Sequence, residues 1–141
     1  MVRVARQEDA AAIAALSTEL GYPATAEQMT VRLRDVLARN SCVVFVAEQN
    51  GTVVGWINLV GSHRLEEEPF AEIGGLVVSE SRRGSGIGAR LIEAGERWAR
   101  ERGYCRMFVR SNVVRERAHK FYERAGFVRF KQQAVFAKSL P

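Results

Sequence analysis

Cysteine is scarce in this chain: two in 141 residues. Cys42 and Cys105 stand far apart, without the spacing of metal ligands or of a disulfide framework. They read as buried, reduced thiols of a cytoplasmic protein. Histidine is equally sparse. His63 and His119 are separate in sequence and read as surface or structural residues, so no metal centre is expected. No apolar run reaches the length of a membrane span. The first residues carry charges and form no apolar h-region, so no secretory leader is expected. Linkers, internal repeats and low-complexity stretches are missing, and 141 residues with 47% hydrophobic content suffice for one domain, residues 1–141, with a proper core. The formal net charge is +5, but its arginines are dispersed. Without a polybasic block or a basic stretch interleaved with aromatics, nucleic acid is not an indicated partner. An anionic cofactor accounts for part of the excess more economically, and the rest reads as solvated surface.

Period and punctuation give an element order. Residues 2–5 read as a first strand. Ile13, Leu16 and Leu20 recur at helical spacing up to Gly21. Thr25-Ala26-Glu27-Gln28 has the form of a capping box, and Met29, Leu33, Val36 and Leu37 make the apolar face of a second helix. The link around Gly21-Tyr22-Pro23 is a candidate border of a substrate site. Residues 42–47 and 53–60 are β-branched runs, joined by Asn50-Gly51, a strong hairpin signal. After an acidic connection with Glu66, Glu67 and Glu68, residues 70–78 form the next strand. Leu91, Ile92, Gly95, Trp98 and Ala99 mark a long helix ending at Gly103. A strand over 104–110, a helix with Ala118, Phe121, Tyr122 and Ala125 on one face, and a final hairpin over 127–137 complete the series. The predicted order is βααβββαβαββ: an α/β fold with a mixed, mostly antiparallel sheet and helices on both faces.

The most informative stretch is Arg82-Arg83-Gly84-Ser85-Gly86-Ile87-Gly88-Ala89. A strand runs into a glycine-rich turn, and the turn opens a helix. Backbone N–H groups then converge at the positive end of a helix dipole, where glycines let a phosphate approach and arginines add forked hydrogen bonds. A diphosphate-bearing ligand suits such a place. A P-loop is excluded, because no Gly-Lys-Ser/Thr follows. A dinucleotide fold is disfavoured, because no βαβ repeat surrounds the glycines.

Arg83-Gly84-Ser85-Gly86-Ile87-Gly88 resembles the R/Q-x-x-G-x-G/A signature of the GNAT N-acetyltransferase superfamily. Ala118-His119-Lys120-Phe121-Tyr122, followed by Gly126-Phe127, resembles its second hallmark, and Val2 to Asp9 resembles its opening strand and turn. The resemblance spans essentially the whole chain. It implies acetyl-CoA as co-substrate, bound through Arg83, Gly84, Ser85, Gly86, Ile87, Gly88 and Ala89. It implies that the paired Gly74-Gly75 marks a bulge, with Leu76, Val77 and Val78 carrying hydrogen bonds to the pantetheine arm. A backbone N–H near Leu76 would polarise the thioester carbonyl. The plainer reading of those glycines is a strand relieved of crowding.

By the same resemblance Tyr122 sits near the coenzyme A sulfur and protonates the leaving thiolate. Its plainer reading is packing on an apolar helix face. Arg115 stands where many members have asparagine, and Asn112 lies three residues earlier. Both are cofactor-binding candidates, Asn112 with a helix N-cap as its other reading. Glu72 matches the offset of a catalytic glutamate in the histone-acetylating branch, and strict alternation places it on the side of Gly74 and Leu76. It reads as the general base, as an acceptor-binding charge or as strand surface. The implied activity is N-acetylation of a primary amine by direct attack in a ternary complex. The acceptor stays open among polyamines, aminoglycosides, amino acids and protein amines. A non-catalytic acyl-CoA sensor with the same fold is the alternative. Many members dimerise through late strands, so a homodimer is admitted.

Overall fold

A computed structural model describes every residue except Asn112. The chain forms two compact units, residues 1–109 and 110–141. The first contains β1 (Val2–Val4), α1 (Ala10–Glu19), α2 (Ala26–Leu37), β2 (Cys42–Gln49), β3 (Thr52–Ser62), β4 (Phe70–Val78), α3 (Ile87–Glu101) and β5 (Met107–Val109). The second contains α4 (Glu116–Arg124).

The five strands lie in the order β1-β2-β3-β4-β5. Neighbours are antiparallel except β4 and β5, which run parallel. Local chemistry sets the joints. Asn50 and Gly51 both take positive φ, 51° and 77°, which matches the twist of the β2–β3 hairpin. At α2 the Thr25 hydroxyl accepts from the Gln28 N–H at 3.0 Å, and the Thr25 N–H donates to Gln28 Oε1 at 3.0 Å.

Residues opposite each other on paired strands share a face. Val44 and Val46 of β2, opposite Asn58 and Trp56 of β3, face a core made with Ile13 of α1 and Leu33 of α2. The other face carries Ile57 and Leu59, both fully buried. There α3 packs so closely that a Cβ on Gly95 would meet Leu59 Cδ2 at 2.9 Å. Leu91, Ile92 and Trp98 line the same helix stripe and are buried. Helices thus cover both faces, as the sequence predicts.

Three expectations need correction. The final hairpin does not form: residues 127–141 contain no strand. Val128, Val135 and Phe136 are 83%, 84% and 91% exposed. Lys131-Gln132-Gln133 offers no residue that favours a tight turn, and a lone two-stranded hairpin is marginal in water. The fifth strand is three residues rather than seven, because the Tyr104 N–H is still held by Ala99 of α3 at 2.9 Å. The cysteines are unpaired but not buried. Cys42 is half-buried, and Cys105 is exposed in the connection that leads from α3 to β5.

Candidate active site

In the first unit the geometry that matters begins at a bulge in β4. Asn58 pairs with Gly75 and Leu59 with Ile73, so Gly74 is an extra residue. Side chains of β3 crowd both places, Gly75 more tightly than Gly74. A Cβ on Gly75 would lie 2.7 Å from Trp56 Cη2, and one on Gly74 would lie 3.1 Å from Asn58 Nδ2. The two readings of the glycine pair therefore coincide: the crowding is real, and so is the bulge.

Two consequences follow. First, the bulge reverses the alternation. Glu72 pairs with Val60, on the face of Asn58 and Trp56, whereas Leu76 pairs with Ile57 on the α3 face. Glu72 and Leu76 thus lie on opposite faces, which corrects the expectation from strict alternation. Second, the bulge ends the pairing of β4 with β5, which covers only Ala71, Glu72 and Ile73. Beyond it, the Ser79 N–H donates to Val54 O at 2.8 Å on the β3 side. Counting back by twos turns the peptide groups of Val77 and Gly75 toward β3 as well. Those of Leu76 and Val78 are turned to the side where β5 does not pair, an open edge within this unit.

The strand then enters the glycine loop. A short 3-10 turn, Glu80–Arg82, is anchored by Glu19 of α1, whose carboxylate accepts from the Glu80 N–H at 2.9 Å. This contact spans 61 residues and has no local signal in the sequence. The Ser85 hydroxyl donates to Arg82 O, and Arg90 donates to Ser85 O at 3.3 Å. Gly84 and Gly86 take φ of 80° and 83°, which side chains rarely adopt, and a Cβ at either would meet no atom within 4 Å. Packing does not demand these glycines; the turn does. Gly86 is the N-cap of the 15-residue α3. Among the described residues, none accepts a hydrogen bond from the N–H groups of residues 84–89. Such donors gathered at a helix N-terminus, beside the exposed Arg82 and Arg83, are chemically suited to an anion.

The candidates of the second unit are placed as follows. Tyr122 lies on α4, edge-on to Phe121 at 5.2 Å and to Phe127 at 5.7 Å between ring centroids. Phe127 is drawn back by its N–H bond to Tyr122 O at 3.0 Å, after Gly126 turns the chain at φ 96°. Arg115 is the exposed N-cap residue of α4. Asn112 lies outside the described residues.

The sequence model of the acetyltransferase (GNAT) family matches residues 9–127. This chain belongs to the GNAT family of acetyltransferases. Acetyl-CoA is the acetyl donor of that family. The chain is 34% identical over 113 residues to the aminoalkylphosphonate N-acetyltransferase of Salmonella typhimurium, covering 79% of this chain and 71% of that one. Its fold is similar to that of the aminoglycoside 6'-N-acetyltransferase AAC(6')-IG from Acinetobacter haemolyticus, with TM-score 0.88 at 15% identity, over 100% of this chain and 99% of the other. It is also similar to AAC(6')-Iy in complex with a bisubstrate analog, with TM-score 0.89 at 18% identity, over 99% and 98% of the two chains. Among the described residues no helix is long and apolar enough to cross a membrane, and no three His, Cys, Asp or Glu side chains are grouped to hold a metal ion.

Proposed function

We propose that this acetyltransferase moves an acetyl group from acetyl-CoA to a primary amine by direct attack in a ternary complex. One observation carries the reading: the unpaired N–H groups of residues 84–89 follow directly on the strand edge left open at Leu76 and Val78. A diphosphate held by the first brings a chain running from it along the second. Gly84, Ser85, Gly86, Ile87, Gly88 and Ala89 bind the pyrophosphate, with Arg83 supplying charge. Leu76 and Val78 bond the pantetheine amides, Val77 buries its side chain behind them, and the Leu76 N–H polarises the thioester carbonyl. Arg115 and Asn112 add contacts to the cofactor.

The acceptor nitrogen attacks the carbonyl carbon, the C–S bond breaks, and Tyr122 gives a proton to the departing thiolate. Glu72 takes the proton that the amine loses. A small primary amine is the acceptor class, supported by the aminoalkylphosphonate acetyltransferase to which the chain is similar. Glu66, Glu67, Glu68 and Glu72 favour a cationic one. A cytoplasmic setting is supported by the unpaired thiols of Cys42 and Cys105.

The base is tested by the pH–rate profile of Glu72→Gln. An alkylammonium is almost wholly protonated at neutral pH, so loss of the base costs about 100-fold in kcat there. Part of the rate returns at high pH, where free amine is plentiful. A rise in KM with kcat intact would make Glu72 an acceptor-binding charge instead. A profile superimposed on the parent's would remove both roles.

A further inference from the structure

Glu19 is the last residue of α1, where the helix dipole favours a cation over a carboxylate, and no basic side chain stands in that last turn to offset it. The carboxylate serves another element instead: it accepts the Glu80 N–H at 2.9 Å, across 61 residues of sequence. Glu80 opens the 3-10 turn that leads into the glycine loop. Ser79, at the N-cap position of that turn, is a residue type that ordinarily caps from within. It makes no side-chain cap here, and its hydroxyl lies 3.1 Å from that of Ser81. Glu19 thus supplies, from a distant helix, the acceptor for the first N–H of the turn. It reaches from a fixed base. The buried Ser17 hydroxyl donates to Ile13 O at 2.8 Å, and the Tyr22 N–H donates to Ser17 O at 2.9 Å. The Thr18 hydroxyl donates to Ala24 O and accepts from the Ala24 N–H, both at 3.2 Å. Beyond Glu80 the hydrogen bonds run on into the loop: the Arg83 N–H donates to Glu80 O at 3.4 Å, the Ser85 hydroxyl to Arg82 O, and Arg90 to Ser85 O.

We propose that Glu19 is a positioning residue for the co-substrate: it holds the entrance of the glycine loop in its diphosphate-binding shape, through the Glu80 N–H and without touching the ligand. The inference rests on the proposed binding of acetyl-CoA at residues 84–89 and adds the group that prepares them. That loop binds through backbone N–H groups, so affinity depends on how many directions they take before the ligand arrives. Gly84 and Gly86 have no side chain to restrict the path, and the loop is therefore held at its ends. Arg90 of α3 holds the far end, and Glu19 of α1 holds the near one. A loop released at its first residue spends part of its affinity on being ordered. The role needs an acceptor oxygen and not a charge, and glutamine supplies one.

The test compares the whole protein with Glu19→Ala and Glu19→Gln. Glu19 is exposed, so both variants are expected to keep the parent's circular dichroism. In Glu19→Ala the Glu80 amide, followed by NMR, exchanges its hydrogen about tenfold faster. Coenzyme A, measured by calorimetry, binds about fivefold more weakly. KM for acetyl-CoA rises by the same factor while kcat holds, because the chemistry downstream of binding is untouched. Glu19→Gln returns all of these to within about twofold of the parent. Parental coenzyme A affinity in Glu19→Ala overturns the proposal even where the Glu80 amide exchanges faster, since the contact then steadies the turn and does nothing for the ligand. So does a Glu19→Gln protein as impaired as Glu19→Ala, which makes charge the contribution. A fall in kcat at unchanged KM overturns it as well. A parent that binds no coenzyme A overturns the reading of the loop beneath the proposal instead.

Discussion

At the scale of single residues the acetyltransferase is a set of groups whose roles separate by where charge changes. In the proposed mechanism Tyr122 is useful only as the C–S bond breaks, because its O–H would meet a thiolate that does not exist in the ground state. Tyr122→Phe is therefore expected to lower kcat by about 10- to 100-fold while acetyl-CoA affinity changes little. Stopped-flow turnover beside calorimetric affinity checks this, and equal turnover with chemistry rate-limiting would leave Tyr122 a packing role. The residue types were legible in the sequence: arginine and glycine before a helix, tyrosine in its Phe-Tyr-x-x-x-Gly-Phe frame. Trp56 and Asn58 were not. Each looks like an ordinary member of a β-branched strand, and only the register and packing show that their side chains crowd Gly75 and Gly74. Glu19, which anchors the Glu80 N–H, was illegible for the same reason: sequence distance hides a contact between α1 and the loop before α3.

At the scale of elements, one extra residue does most of the work. Gly74 ends the β4–β5 pairing and moves Glu72 to the face opposite Leu76. The glycine pair was visible beforehand, but the parity change was not, because period-two reasoning assumes an unbroken ladder. The loop after β4 depends on two positive-φ glycines. Gly86→Val forces a β-branched side chain into the left-handed region at the α3 N-cap, costing roughly 1–2 kcal/mol. It also places methyl groups where the diphosphate is proposed to lie. Calorimetry is expected to show coenzyme A binding lost in a protein whose circular dichroism stays native. Unchanged affinity would refute that placement.

The N-terminal strand shows a second local device. Arg3 reaches Asp9 through two hydrogen bonds of 2.9 Å and Glu48 at 2.8 Å, while the Arg6 N–H donates to Asp9 Oδ2 at 2.7 Å. The Arg3 guanidinium holds the Asp9 carboxyl below its usual 3.8, although burial pushes the other way. A depressed folded-state value means stability that is fully present above pH 3.8 and lost as pH falls through the folded value. Asp9→Asn is thus expected to cost about 2 kcal/mol at neutral pH and to flatten the acid limb of the urea stability curve. An acid limb as steep as the parent's would show that Asp9 is not its source.

At the scale of the whole molecule, the β-first order, the capped α2, the hairpin at Asn50-Gly51 and the helix after the glycine loop all follow from periodicity and turn chemistry. The last fifteen residues do not. Their alternation satisfies a strand pattern, but pattern without a turn residue leaves Val128, Val135 and Phe136 exposed. The net positive charge fits a chain that takes an anionic co-substrate, and its dispersion kept that inference out of reach until the loop was built. The central claim is transfer from acetyl-CoA to an amine with both bound together. Initial velocities of thiol release, measured over a grid of acetyl-CoA and primary-amine concentrations with the best acceptor of an amine panel, test it most directly. The account predicts release that requires the amine, with double-reciprocal lines that intersect. Release indifferent to the amine, or parallel lines of a covalent acetyl-enzyme route, would contradict it.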